Sequence, residues 1–133
     1  CGFSSNIPEI DADGSQLKQV FVNLIVNALQ AMPDGGCLRI NTRGESRKVS
    51  VVVEDTGVGM EQEILDKIFT PFFTTKEIGL GTGLGLPVSH GIIASHQGTI
   101  RVESKAGKGT VCTIELPVKR VRRYRNEARD ALF

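Results

Sequence analysis

Over residues 15–32 the apolar side chains Leu17, Val20, Phe21, Leu24, Ala28 and Ala31 recur at steps of three and four, the period of an amphipathic helix. Ser15 is placed as its N-cap, and Pro33-Asp34-Gly35-Gly36 ends it. The period then shortens to two. Residues 37–42 and 48–54 read as strands joined by the polar stretch 43–47, an antiparallel pair. A second helix is predicted over 61–69. From 70 to 82 no period persists, and Pro71, Gly79 and Gly81 punctuate a loop long enough to carry function. Helical spacing returns over about 84–96, with Pro87 in the first turn, where its missing N–H does no harm. Strands at 99–104 and 110–116 flank the turn Ala106-Gly107-Lys108-Gly109 and read as a hairpin.

The order helix, two strands, helix, loop, helix, two strands is an α/β pattern with antiparallel pairing, most simply one sheet covered on one face by helices. It contains no run of βαβ units, which disfavours a dinucleotide-binding Rossmann domain. The 133 residues suffice for a single domain. The longest apolar stretch, 20–32, is interrupted by Asn23, Asn27 and Gln30 and falls short of the roughly eighteen unbroken residues of a membrane span. No membrane insertion by this segment is expected. Cys1, Cys37 and Cys112 are odd in number and lack C-x-x-C spacing, which points to a reducing, cytoplasmic setting and against a zinc site. Cys37 and Cys112 lie in strand-like runs and are expected to be small buried hydrophobes. A start at Cys1 without a signal-like segment is expected of a piece excised from a longer chain.

Charge divides the chain unevenly. The net +1 predicts no global attraction to nucleic acid. Residues 119–133 carry six basic and two acidic side chains, net +4, whereas residues 1–118 carry ten and thirteen, net −3. The expected organisation is a globular domain over 1–118 and a basic tail over 119–133, the tail read as a solvated surface, a docking segment or a linker stub.

Three features carry chemistry. Gly79-Leu-Gly81-Thr82-Gly83-Leu84-Gly85-Leu86 opens into a predicted helix, where unpaired N–H groups and the positive dipole end favour an anion such as phosphate. Without a following Lys-Ser/Thr it is no Walker loop, and glycines also serve turns and tight packing. Asn23 and Asn27 share a helix face that Gln19 and Gln30 extend; carboxamides there suit a divalent metal or phosphate, or simply face solvent. In Glu54-Asp55-Thr56-Gly57-Val58-Gly59-Met60 a carboxylate at a strand end precedes two glycines, which suits an amino group on a flat ring, or an ordinary strand-to-helix turn.

Taken in order, these segments resemble the ATP-binding catalytic domain of bacterial two-component sensor histidine kinases, in the superfamily that also holds gyrase, Hsp90-type chaperones and mismatch-repair ATPases. Asn23-Leu-Ile-Val-Asn27-Ala resembles the N box, Asp55-Thr-Gly57-Val-Gly59-Met60 the G1 box, Phe69-Thr-Pro-Phe72-Phe73 the F box, and Gly81-Thr-Gly83-Leu-Gly85-Leu the G2 box. Gly109-Thr110 resembles a further element of the adenine pocket. The resemblance covers about residues 7–117. It implies a Bergerat-type α+β two-layer sandwich, with a mixed, mostly antiparallel sheet under about three helices. Family domains also carry a strand ahead of Asn6, of which residues 1–4 would be a remnant.

The resemblance further implies ATP or ADP with Mg²⁺. Asn27 would ligate the metal through its side-chain oxygen, assisted by Asn23. Asp55 would accept from the adenine amino group, with Thr110 supporting that contact through water and Met60 lining the ring. Gly57 and Gly59 would allow close approach, and Gly81, Thr82, Gly83, Leu84 and Gly85 would present N–H groups to the phosphates. Residues 70–80 would form a lid, with Thr75 and Lys76 toward the nucleotide and Lys76 as a γ-phosphate contact. Ala31 and Leu86 belong to the same set, as does Gln30, which stands where many relatives carry a basic residue. At the position of Asn23 the gyrase and chaperone branch has a glutamate that activates water; an amide has no such basicity, so slow hydrolysis and phosphoryl transfer are expected.

His90 and His96, the only histidines, lie in no phosphoacceptor context and are expected to be structural or solvent-facing. The acceptor histidine would lie in an upstream dimerisation domain, which would in turn serve a response-regulator receiver domain. The competing readings are an ATPase or chaperone-like module of the same superfamily, a serine kinase of the anti-sigma-factor type, and a non-catalytic binding module working through the basic tail.

Overall fold

The computed structural model describes residues 2–3, 7–73 and 85–118. Helix α1 (Gly14–Gln30) and strands β2 (Leu38–Gly44) and β3 (Lys48–Asp55) follow the short strand β1 (Gly2–Phe3); then come α2 (Gln62–Leu65), α3 (Gly85–Ser95), β4 (Thr99–Lys105) and β5 (Gly109–Pro117). The five strands form one sheet in the order β1-β2-β3-β5-β4. β1 lies parallel to β2, while β2, β3, β5 and β4 are antiparallel to their neighbours. The sheet is mixed and mostly antiparallel, as the resemblance implies, and Gly2–Phe3 forms the strand expected ahead of Asn6.

Register explains how the sheet builds a core. Residues two apart on a strand share a face, so Val49, Val51, Val53 and Asp55 of β3 point the same way. Across the sheet Ile40, Val53, Cys112 and Val102 form one row, and Thr42, Val51, Ile114 and Ile100 the next. Val20 and Leu24 of α1 and Ile93 of α3 pack onto these rows. Val20, Ile93 and Ile114 are completely buried, each contributing about 2 kcal/mol through its apolar area. The opposite sheet face carries exposed Arg39, Asn41, Arg43, Arg101 and Glu103. On it Lys48 and Glu115 pair, each holding the other in its charged form, so that the Lys48 ammonium is pushed up and the Glu115 carboxyl down.

Three sequence expectations are corrected. Helix α1 is capped by Asp13, whose carboxylate accepts from the Gln16 N–H at 3.1 Å, and Ser15 lies inside the helix. The Asp13 N–H donates to His96 Nε2 at 3.0 Å, and His96 Nδ1 lies 2.8 Å from the Ile92 carbonyl; this contact across the fold fixes where the helix starts. The helix predicted over 61–69 is one turn, Gln62–Leu65. Beyond it the Lys67 and Thr70 N–H groups bond three residues back, to Ile64 and Lys67, tightening the chain as it buries Ile68. Cys112 is buried, but Cys37 is exposed, preceding β2 in phase with Arg39, Asn41 and Arg43.

α1 and α3 pack antiparallel: His96 meets Asp13 at one end, and Asn23 reaches Gly85 and Ser89 at the other. None of the helices in the described residues is long and apolar enough to cross a membrane.

Candidate nucleotide site

The apolar rows of the sheet end in a polar one. Next to the Ile40-Val53-Cys112-Val102 row, Leu38, Asp55, Thr110 and Ser104 lie in register. Asp55 is only 7% exposed, a carboxylate set at the margin of a hydrophobic face. Its Oδ1 accepts from the Gly57 N–H at 2.8 Å, which turns the chain sharply out of the strand and leaves Oδ2 for another donor. Beside it the Ser104 hydroxyl is 2.8 Å from Thr110 Oγ1, accepts from the Met60 N–H at 2.9 Å and lies 3.0 Å from the Gly109 carbonyl. Three of the expected site residues, Asp55, Met60 and Thr110, thus converge around Ser104.

Glycines hold the loop after β3 in place. A Cβ on Gly57 would collide with the Ala31 carbonyl at the end of α1, and one on Gly59 with the Lys105 carbonyl. The Val58 N–H donates to Ala31 at 2.9 Å, and the Val58 carbonyl accepts from Gly107 at 2.6 Å. The close approach these glycines permit within the fold is of chain to chain. Gly59 also has φ +67°, a left-handed conformation costly for other residues. The loop is thereby clamped between the end of α1 and the turn joining β4 to β5.

The second half of the site lies between α1 and α3. Asn23 Nδ2 donates to the Gly85 carbonyl and to Ser89 Oγ, both at 3.3 Å. Ser89 is fully buried and donates to the Gly85 carbonyl at 2.8 Å. Because a carbonyl only accepts, these bonds fix which end of the amide faces α3. A glutamate in this pose would set a carboxylate against the Gly85 carbonyl, so the pocket is made for an amide. Asn27 follows one turn on, half-buried on the same side of α1, with Gln30 exposed, Ala31 at the C-cap and Leu86 packed against the core.

Thr75, Lys76, Gly81, Thr82, Gly83 and Leu84 lie outside the described residues, as does the tail 119–133. Of the F-box segment, Phe69 packs against His90 with ring centroids 5.0 Å apart and planes tilted by 45°, whereas Phe72 is 74% exposed at φ +67°. Sequence reasoning missed Ser104, Ser89 and Thr56, whose hydroxyl accepts from the Cys37 N–H at 2.9 Å. Ser104 could have been found from the hairpin: pairing Lys105 with Gly109 across the turn puts Ser104 opposite Thr110.

The sequence and fold of the chain have counterparts among known proteins. The family described as histidine kinase-, DNA gyrase B- and HSP90-like ATPases matches residues 12–120. The chain belongs to this family. Among curated members it is 48% identical over 115 residues to sporulation kinase E of Bacillus subtilis (strain 168), covering 86% of this chain and 15% of that one. It is 45% identical over 123 residues to the sensor histidine kinase ZraS of Escherichia coli (strain K12), covering 91% and 26%. The chain therefore spans about a quarter or less of these relatives. Among solved structures, the catalytic domain of the histidine kinase ThkA superposes with a TM-score of 0.76 at 37% identity, covering 87% of this chain and 76% of that one. Full-length ShkA in complex with AMPPNP gives a TM-score of 0.76 at 29% identity, covering 87% and 24%. The fold is that of histidine kinase catalytic domains, in a family of nucleotide-binding ATPases.

Proposed function

We propose that this domain binds Mg·ATP and passes the γ-phosphoryl group to a histidine on a separate dimerisation and phosphoacceptor domain of the same sensor kinase. The observation that carries this reading is the buried Asp55 carboxylate in register with Thr110 and Ser104, in a chain of the histidine kinase-like ATPase family. The residues present fit the nucleotide: Asp55 keeps an oxygen that Gly57 does not use, and Asn23 and Asn27 supply neutral amide oxygens of the kind magnesium accepts. When bound, Mg·ATP supplies the phosphoryl group and the cation that offsets its charge.

The chain's own residues do the positioning. Asp55 accepts from the adenine amino group while Thr110 supports that contact and Met60 lines the ring. Asn27 would hold the metal through its side-chain oxygen. Asn23, tied to Gly85 and Ser89, fixes the first turn of α3 against α1; the N–H groups at the opening of that helix, with those of Gly81, Thr82, Gly83 and Leu84, would serve the phosphates. Thr75 and Lys76 would contribute from the lid, Lys76 to the γ-phosphate. An amide at position 23 cannot draw a proton from water, which preserves the γ-phosphate for a protein acceptor. The parent's response-regulator receiver domain would take the group from that histidine, in the cytoplasm.

The test mixes the domain with the parent's phosphoacceptor domain and γ-labelled ATP. Label that is acid-labile and alkali-stable is expected on the acceptor, with steady-state phosphate release slow in its absence. Acid-stable label would indicate a serine kinase, and rapid phosphate release an ATPase; either contradicts the proposal.

A further inference from the structure

The register of β2 and β3 defines how their ladder would end if it simply ran on. Leu38 faces Asp55, so the next rung outward joins Cys37 and Thr56. Antiparallel partners alternate between pairs that exchange two backbone bonds and pairs that exchange none. At the other end of the ladder the Glu45 N–H donates to the Lys48 carbonyl at 2.8 Å, which puts Cys37–Thr56 in the bonded class and Leu38–Asp55 between rungs. Half of that last rung is regular: the Thr56 N–H donates to the Cys37 carbonyl at 3.2 Å. The other half is not. The Cys37 N–H, which can only donate, meets the Thr56 side-chain hydroxyl at 2.9 Å in place of the Thr56 carbonyl.

A hydroxyl in that role satisfies Cys37 without keeping the Thr56 peptide in the plane of the sheet. The chain therefore turns out of the strand directly after Asp55. The Gly57 N–H folds back onto Asp55 Oδ1 at 2.8 Å, and the Val58 N–H reaches the Ala31 carbonyl at the end of α1. The turn leading into β2 packs on the same hydroxyl, since a Cβ on Gly36 would collide with both Thr56 Oγ1 and Met32 Sδ. A serine would close the rung in the same way. A valine, of the same shape, would leave the Cys37 N–H to find the carbonyl of residue 56, drawing the ladder one rung further and pulling Gly57 away from the Asp55 carboxylate.

The geometry points to Thr56 as a positioning residue for Asp55: its hydroxyl stands in for its own carbonyl in the last rung of the β2–β3 pair, ends the strand directly after Asp55 and so sets where the carboxylate is offered to the nucleotide. Thr56 is itself exposed, and its effect on binding passes through Asp55. The inference rests on the reading of Asp55 as a nucleotide contact.

Calorimetric titration of Mg·ADP into a double-mutant cycle tests it. Thr56→Ser, which keeps the hydroxyl, should bind as the wild type does. Thr56→Val should weaken binding by about tenfold, the scale of one lost polar contact. Thr56→Ala, which also lacks the acceptor, should do the same, and it decides the matter if Thr56→Val proves unfolded by its melting curve. In an Asp55→Ala background, Thr56→Val should cause no further loss, because the carboxylate it positions is gone; a residue that merely held the fold together would add its loss in either background. Additive losses in the cycle, affinity unchanged in Thr56→Val, or a loss in Thr56→Ser as large as that in Thr56→Val would overturn the inference while leaving the nucleotide site intact. Failure of the wild-type domain to bind Mg·ADP would overturn the site itself and the inference with it.

Discussion

Cys37 and Cys112 show how one residue type is given opposite chemistry by strand phase. Cys112 lies between Val53 and Val102 in the core row, and burial pushes its thiol up to about 12, since the charged thiolate loses its hydration there. Cys37 precedes β2 with its side chain exposed. In a Cys1→Ser protein, a disulfide reagent at pH 8 should titrate one thiol quickly, Cys37, and the second only after denaturation; two fast thiols would contradict the packing of β5. The exposure of Cys37 was legible after all. Arg39, Asn41 and Arg43 share its parity, whereas Cys112 shares the parity of Ile114 and Leu116. Reading both simply as residues of apolar strands overlooked the alternation that separates them. Ser15 and Asp13 differ in another way: both are good caps by type, and the choice is made by His96, 83 positions away. No local pattern contains that contact.

At the scale of elements, helices and strands were legible because their periods are strong. The strands of both hairpins were found to within two residues, and α1 and α3 lie where three-and-four spacing put them. The order β1-β2-β3-β5-β4 was not, because the adjacency of β3 and β5 joins residues more than fifty apart. The glycines of the loop after β3 are the instructive case. Their sequence suggested room for a flat ligand, and that remains part of the proposed site; in the fold their missing side chains let the loop touch the end of α1 and the turn between β4 and β5. Gly59→Ala should therefore destabilise the domain by about 2 kcal/mol or more, adding the left-handed backbone penalty to a clash with the Lys105 carbonyl. Thermal melting checks this, and a melting temperature equal to wild type would show that the loop is not clamped as described.

The whole molecule is a sheet graded along its covered face. Two rows that include the buried side chains Val51, Val53, Cys112 and Ile114 anchor α1 and α3, and the next row carries Asp55, Thr110 and Ser104. A nucleotide site in this position draws its rigidity from the core beneath it and its donors and acceptors from the ends of the elements. The net charge of +1 conceals an uneven distribution, since it sums −3 over residues 1–118 and +4 over residues 119–133. The motifs made the site legible as a set of segments, but its assembly depends on strand register and helix contact, which sequence spacing alone does not give. The central claim is that Asp55 and Asn27 hold the two ends of one Mg-nucleotide. Calorimetric titration of Mg·ADP into the wild-type domain and its Asn27→Asp and Asp55→Ala variants tests it most directly. The account predicts a single site in the wild type, and affinity lowered at least about tenfold in each variant, the loss expected when a buried polar contact is removed; affinity unchanged in both variants would contradict it.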